Sequence, residues 1–403
     1  MTSPSGNDAV AIIATLDTKG AEVAFVSKAL GRLGRSCRIF DIGTTGPYAR
    51  ERLPDEKGNG QSNGQRKSPS GMLARIAGLV RDELEMRTKS GEVTAVLGIA
   101  GGKGSAAFGA IAGDLPYGFP RILVSSARPE LLAELARQSD ILFYPTLVDL
   151  FGINDFTERV LNNAVNAIAA MRFQPARRRA RKVVAITAFG VTTPAASACV
   201  AQLRNSGVDS IVFPANGAGG RTMEKLVRAG EFDGVIDLTT TELADELVGG
   251  AASAGPERLT AATESGVPQL VAPGAVDMVN FGAPDTVPAQ FEGRTFYSHT
   301  PFTTLMRTTA EENREIGRIT GCKIARAKGP TCVLWPRRGV SDYDREGEAF
   351  FDPPADRAWF QGVREALPPA IPAIEIDCHI NDPAFAHAAV SWMTKQLNQE
   401  VRP

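Results

Sequence analysis

Phe213-Pro-Ala-Asn-Gly-Ala-Gly-Gly-Arg-Thr-Met-Glu-Lys225 lies between a strand-like run and a helix-like run, and its reading decides the fold. Gly217, Gly219 and Gly220 let backbone N–H groups come close to a ligand, and the helix that follows offers its positive N-terminal end. Arg221 can grip phosphate or carboxylate with two parallel hydrogen bonds, and Asn216 borders the loop. The stretch has the chemistry of an anion cradle. Ile99-Ala-Gly-Gly-Lys-Gly-Ser105 repeats the order strand, Gly loop, helix after the apolar run Val93–Ala100. Two α/β units with facing ligand loops are expected.

The alternation continues on either side of these loops. In the first half, strands are expected at Ala9–Ala14, Cys37–Ile42, Val93–Ala100, Phe119–Ser125 and Asp140–Tyr144, with helices at Lys19–Leu33, Gly71–Thr88 and Ile153–Met171. Apolar strand runs separated by helical patterns favour a parallel sheet covered on both faces. The second half restarts the pattern with Val183–Ala188, Ser210–Phe213, Gly234–Leu238, Gln269–Ala272, Thr331–Trp335 and Ala373–Cys378. Between the halves, Pro175 stops a helix and six cations cluster in Arg172–Lys182. The domains are therefore drawn as 1–178 and 179–403. A nucleic-acid patch is the alternative to a solvated linker here, but interleaved aromatics are almost absent. The stretch Lys57–Gly71 has no apolar side chain to bury and is expected to be a mobile surface loop.

Composition narrows the class. A chain of 403 residues with 43% hydrophobic content can bury two cores, and a net charge of −1 argues against nucleic acid or a membrane surface as partner. The five Cys are scattered without CxxC spacing, which suits reduced thiols in the cytoplasm. No secretory leader pattern opens the sequence and no run of about 18 apolar residues interrupts it.

The loops at strand ends carry the polar chemistry. Asp17, Thr18 and Lys19 follow the first strand: Lys19 can pair with phosphate and Asp17 can bind Mg²⁺, or Asp17 and Thr18 simply cap a helix. Gly101, Gly102, Lys103, Gly104 and Ser105 form neither a Walker A loop nor G-x-G-x-x-G, so either Lys103 and Ser105 contact a ligand or the glycines make a tight packing turn. Thr192 and Thr193 precede Pro194, as a helix cap or as ligand hydroxyls. Thr240 sits in a Thr run before a helix on which Glu242, Asp245 and Glu246 lie one turn apart. Glu242 is a candidate for acid–base or metal work, and an acidic first turn offsetting the helix dipole is the alternative. Asp277 and Asn280 stand among apolar residues and need partners. His299 is a candidate acid or base or a structural histidine, and Arg307 is expected on a helix as the i,i+4 neighbour of Glu311. Gly339, Ser341 and Asp344 make a further crevice loop after the strand ending at Trp335.

Taken in order, Leu16–Lys19, Gly101–Ser105, Phe189–Pro194, Asn216–Arg221, Thr239–Glu242, Asp277–Gly282 and Leu305–Thr309 resemble one family. It is the uncharacterised family that includes the ATP-binding, inhibitory N-terminal region of the tomato mosaic virus resistance protein. The resemblance covers nearly the whole chain and implies two Rossmann-like domains with a ligand cleft between them, nucleotide binding and a homodimer. One departure is Lys103, which stands in a loop where the family usually shows Gly-Gly-Ser-Gly-Gly-Thr. The expectation is an ATP site with Mg²⁺, held by Lys19, Lys103 and the two Gly loops. Arg221, Glu242, Asp277, His299 and Arg307 would then bind a small acidic metabolite for phosphoryl or related group transfer. A nucleotide-gated regulatory protein without turnover and a two-domain sugar-nucleotide enzyme are the competing readings.

Overall fold

The computed structural model describes residues 8–50, 69–174 and 180–399. Most of the polar stretch expected as a mobile loop, much of the cationic cluster and the boundary drawn at 178/179 lie outside the described residues. The chain divides into two compact units, Met1–Arg177 and Arg178–Pro403. Both are α/β and Rossmann-like.

The first unit runs β1 (Ala9–Ala14), α1 (Leu16–Arg32), β2 (Ser36–Asp41), α2 (Pro47–Arg50), α3 (Pro69–Lys89), β3 (Val93–Ala100), α4 (Gly102–Ala112), β4 (Arg121–Ser125), α5 (Pro129–Gln138), β5 (Leu142–Pro145) and α6 (Asp155–Ala170). Its five strands are parallel in the order β2-β1-β3-β4-β5. Period-2 alternation divides the central strands between two cores. Ala11, Ile13 and Val96 face Phe40, Ile76, Val80 and Phe108, while Val10, Ile12 and Leu97 face Val26, Leu161 and Val165. This two-sided burial is why the strands read as unbroken apolar runs.

The second unit runs β6 (Val183–Ala188), α7 (Thr193–Asn205), β7 (Asp209–Pro214), α8 (Ala218–Arg228), β8 (Gly234–Thr239), α9 (Thr241–Val248), α10 (Ala261–Ser265), β9 (Gln269–Gly274), β10 (Met278–Phe281), β11 (Phe296–Thr300), β12 (Thr303–Arg307), α11 (Ala310–Ile324), β13 (Thr331–Pro336), α12 (Pro353–Ala366), β14 (Ala373–Ile376) and α13 (Pro383–Asn398). Six strands form a parallel sheet in the order β14-β13-β9-β8-β6-β7.

A small antiparallel sheet, β10-β12-β11, is an addition that the sequence reading did not contain. It also corrects the position of Arg307, which ends β12 and is not on a helix with Glu311. The helix begins later because Thr309 accepts from the Glu312 N–H and Glu312 reaches back to the Thr309 N–H, a capping box that fixes its start.

In each parallel sheet the strand that comes first in the unit lies between the second and the third: β1 between β2 and β3, β6 between β7 and β8. The loops leaving the first and third strands therefore diverge, which makes a topological switch point at their carboxyl ends. In the first unit the strand-to-helix junctions there carry Thr15–Thr18 and Gly101–Lys103, in each case the residue before a helix and that helix's first turn. In the second they carry Phe189–Thr193 and Thr240–Glu242.

Close packing of α11 on α12 depends on missing side chains. A Cβ on Gly317 would stand 2.0 Å from the Trp359 carbonyl oxygen, and one on Gly362 the same distance from that of Arg314. Gly362→Ala is expected to destabilise the second unit by about 1–3 kcal/mol, read as a lowered denaturant midpoint. An unchanged midpoint would show that the two helices separate freely.

Candidate functional site

The anion cradle of the second unit is filled by the chain's own carboxylate. Gly217 has φ of 87°, a left-handed value that glycine accepts readily. Its N–H donates to Glu242 Oε1 at 2.7 Å, and the Gly220 N–H donates to the same oxygen at 3.2 Å. A Cβ on Gly220 would lie 2.2 Å from Glu242 Oε2, so only glycine permits this approach. The Gly219 N–H is taken by Asn216 Oδ1 at 3.1 Å, and Arg221 donates to the Ser253 carbonyl at 2.9 Å. Sequence reasoning found the cradle. It did not find the occupant.

Behind Glu242 lies a buried guanidinium. Arg258 is 1% exposed, and donates from Nε to Glu242 Oε2 at 2.5 Å, from Nη1 and Nη2 to Asp237 at 2.5 and 2.6 Å, and to Glu224 at 3.2 Å. Burial alone would lower the Arg258 pKa, but the Asp237 and Glu242 carboxylates outweigh it and keep the guanidinium charged. Burial raises the Glu242 pKa, and Arg258 and the Gly217 N–H oppose that rise. Glu224 also accepts from the N–H groups of Leu259, Thr260 and Ala261 at 2.6, 3.2 and 2.7 Å. These bonds hold Leu259 at φ of 70°, a strained value for a branched side chain. Arg258 carried no sequence signal, because a lone arginine in a Gly-Pro-Glu-Arg turn reads as solvated surface.

Of the Thr residues at this switch point, Thr192, Thr239 and Thr240 are closed in, and Thr193 is exposed. Thr192 and Thr239 hydroxyls meet at 2.8 Å, Thr193 Oγ1 donates to the Phe189 carbonyl, and Thr240 Oγ1 donates to the Ala272 carbonyl. Thr192 and Thr240 are fully buried. Asp245, one helical turn from Glu242, turns elsewhere: it accepts from Asn280 N and Nδ2 at 3.1 and 2.8 Å and from Ala252 N at 3.0 Å.

Arg307 anchors a second buried network. Its guanidinium donates to Asp356 at 2.7 Å, to the Phe350 carbonyl at 2.7 Å and to the Asp277 carbonyl at 3.4 Å, and stands 3.7 Å from Asp344. Asp277 Oδ2 accepts from Ser341 Oγ at 2.7 Å, while Asp277 Oδ1 is buried with no hydrogen-bond partner among the described residues. Burial pushes up the carboxyls of Asp277, Asp344 and Asp356, and the like charges of their neighbours add to the rise. Nearby, His379 accepts from the Asn381 N–H at Nδ1, so its Nε2 carries the proton that bonds the Ser341 carbonyl at 2.9 Å. Asp356, His379 and Asn381 were missed as site residues for the same reason as Arg258: their partners are remote in sequence. His299 is apart from both networks, exposed on β11, with Nδ1 2.8 Å from the Tyr343 hydroxyl. Arg221, Glu242, Asp277, His299 and Arg307 thus do not converge on one open crevice.

The first unit's switch point is open. Leu16, Asp17, Thr18, Gly102 and Lys103 are exposed. Helix α4 starts at Gly102 behind Gly101, which offers no side chain to cap it, so its first N–H groups face outward. Open space surrounds a Cβ built on Gly102. Gly104 approaches the Ala100 methyl, and Ser105 is buried, with its hydroxyl 2.7 Å from Ser125 Oγ and donating to the Gly101 carbonyl. Ser105 is therefore a packing residue of the loop. Lys19 is also buried: it leaves helical geometry at φ −125° and donates to the Leu150 carbonyl. Thr18 Oγ1 meets Thr15 Oγ1 at 2.7 Å. Among the described residues no group of three or more His, Cys, Asp or Glu could hold a metal ion, and no helix is long and apolar enough to cross a membrane.

The chain matches the uncharacterised protein family (UPF0261) N-terminal domain over residues 8–177 and the C-terminal domain of the same family over residues 181–397. A UPF0261 protein of Clostridium tetani is 37% identical across 98% of this chain and all of its own length. A tomato protein, ToMV resistance protein Tm-1(GCR237), is 36% identical across 73% of this chain and 40% of its own length. Among solved structures, the glycosyltransferase VinC in complex with dTDP aligns over 97% of this chain and all of that one at 10% identity and a TM-score of 0.20, a likeness that carries no argument.

Proposed function

The chain belongs to the uncharacterised protein family UPF0261, and we propose that its first unit binds a nucleotide with the phosphates at the β1/β3 switch point. One observation carries this reading: the uncapped start of α4, the exposed Lys103 and the exposed Asp17 and Thr18 in the first turn of α1 share the open end of the sheet, whereas the second unit's cradle already holds Glu242. Outward N–H groups at a helix start favour phosphate oxygens, and Lys103 adds a full positive charge. Mg²⁺ prefers one or two carboxylates together with phosphate oxygens and water, and Asp17 offers one exposed carboxylate in this crevice. The ion would neutralise phosphate charge there.

The test is calorimetric titration with ATP and ADP, with and without Mg²⁺, on the native chain, Lys103→Ala and Arg221→Ala. Saturable binding weakened about ten-fold or more by Lys103→Ala, and unaltered by Arg221→Ala, is the expected outcome. The reverse pattern would move the nucleotide to the second unit, and no binding would reject the proposal. A companion measurement is nucleotide consumption in the presence of small carboxylic acids. Turnover only with an added acid supports an enzyme, and binding with no turnover supports a gate.

A further inference from the structure

The geometry points to a nucleobase pocket in the first unit, formed by Thr146, Leu147, Val148, Phe156 and Arg159 at the end of β5. It rests on the reading that phosphates occupy the β1/β3 switch point, and it names where the other end of the same ligand goes.

The argument begins with the sheet. Ala100, Ser125 and Pro145 are in register at the carboxyl ends of β3, β4 and β5. Hydrogen bonds continue that level past the strands, from the Ser126 N–H to the Ala100 carbonyl at 3.2 Å and from the Thr146 N–H to the Ser125 carbonyl at 2.8 Å. Thr146 therefore stands two strand spacings from Gly101, about 10 Å, along one edge of the same crevice. An extended nucleotide separates its base from its β-phosphate by a similar span. The intervening loop is tied down: Asp149 accepts from Ser126 Oγ at 2.8 Å and from its neighbour Leu150 N–H at 2.9 Å, and Lys19 holds the Leu150 carbonyl. One edge of the pocket is thus fixed to the phosphate loops.

The lining suits a flat heteroaromatic ring. The cavity measures 300 Å³ and is mainly apolar. Its volume falls at the small end of the range for ligand sites. Leu147 is fully exposed and Phe156 is 64% exposed, an unusual outlay of apolar surface on one loop and one helical turn. Phe156 is fixed by the cap of α6, where Asn154 Oδ1 accepts from the Phe156 and Thr157 N–H groups, and the Arg159 guanidinium lies 5.9 Å from the ring centroid. Phe156 and Arg159 offer the two planar groups on which bases stack. Thr146 lines the cavity, and its Oγ1 is buried with no hydrogen-bond partner among the described residues, an unmet polar atom beside the site.

Titration of the full chain with ATP, inorganic tripolyphosphate and adenosine separates this inference from the one beneath it. The variants are Phe156→Ala, Leu147→Ala and Lys103→Ala, and because Phe156 and Leu147 are exposed their truncation leaves the fold intact, as an unchanged melting temperature would verify. Phe156→Ala is expected to weaken ATP about ten-fold, the scale of one base–aromatic stack, and to leave tripolyphosphate unchanged. Lys103→Ala weakens both. Equal affinity of the native chain for ATP and tripolyphosphate, or ATP binding indifferent to Phe156→Ala, overturns the base pocket while leaving the phosphate reading in place. If neither ATP nor tripolyphosphate binds, the phosphate reading fails, and adenosine decides alone: binding lost in Phe156→Ala upholds the pocket, and no adenosine binding overturns it. Sedimentation of Leu147→Ala is the remaining arm. A change in oligomeric state there with no change in ATP affinity would make the patch a contact between copies of the chain and overturn the inference.

Discussion

Arg258→Met is expected to lower the unfolding free energy of the second unit by about 3–5 kcal/mol, the cost of removing one partner from a buried ion cluster. The side chain is fully enclosed and sits among Asp237, Glu242 and Glu224. Methionine keeps most of the volume but leaves three carboxylates without their cation, so each must take a proton or stay charged in a poorly solvating interior. Glu242 would feel this first, because the Gly217 and Gly220 N–H groups cannot replace a full charge. The measurement is a urea titration followed by tryptophan fluorescence, which suits this unit because Trp335 and Trp359 are buried in its core. A midpoint equal to that of the native chain would mean that the cluster does not hold the Gly loop in place. The cradle would then be free to take an outside anion.

A second large effect is a loss of stability as the pH rises from about 5 to 8, traced to Asp245. Burial pushes its carboxyl up to about 7 from an ordinary value of 3.8, against hydrogen bonds from Asn280 and Ala252 that favour the charged form. The folded chain therefore keeps a proton that the unfolded chain has already released. The stability this contributes is full below the ordinary carboxylate range and is lost as the pH climbs through about 7. Asp277, pushed up to about 6 by burial, acts in the same direction. Asn280 Oδ1 is buried without a partner among the described residues, and a half-turn of its amide would present it to a protonated Asp245. Asp245→Asn keeps the shape, removes the titration and can use that same oxygen. Its urea midpoint is expected to fall less between pH 5 and 8 than that of the native chain. Parallel pH profiles for the two proteins would remove Asp245 from the account. Surface carboxylates held low, such as Asp377 beside Arg338 and Arg337, act at more acidic pH and do not enter this window.

The sequence was most readable where one physical rule acted alone. Strands β1, β3 and β6 have the ends expected from their apolar runs, because a strand buried on both faces has little freedom in composition. Arg307 was misplaced because Thr303–Arg307 is short, and its pairing with β10 and β11 is made by residues elsewhere in the chain. The capping box at Thr309 was the local signal that should have started α11 later. In the candidate sites, glycine positions were readable as close approaches, but the identity of what approached was not. Gly220 faces Glu242 across 22 residues, and Glu242 meets Arg258 across another 16.

The sequence by itself determined two α/β units, the strands of their parallel sheets and the Gly loops at strand ends, since these follow from hydrophobic period and backbone permissiveness, both local properties. The tertiary structure alone decided which loop faces outward. Folding brings Glu242 into one cradle and leaves the start of α4 and the Phe156 face uncovered, and that difference depends on burial and on the placing of charges distant in sequence. A charge enclosed by its own chain must be neutralised there, whereas a helix start left open keeps its N–H groups for a ligand.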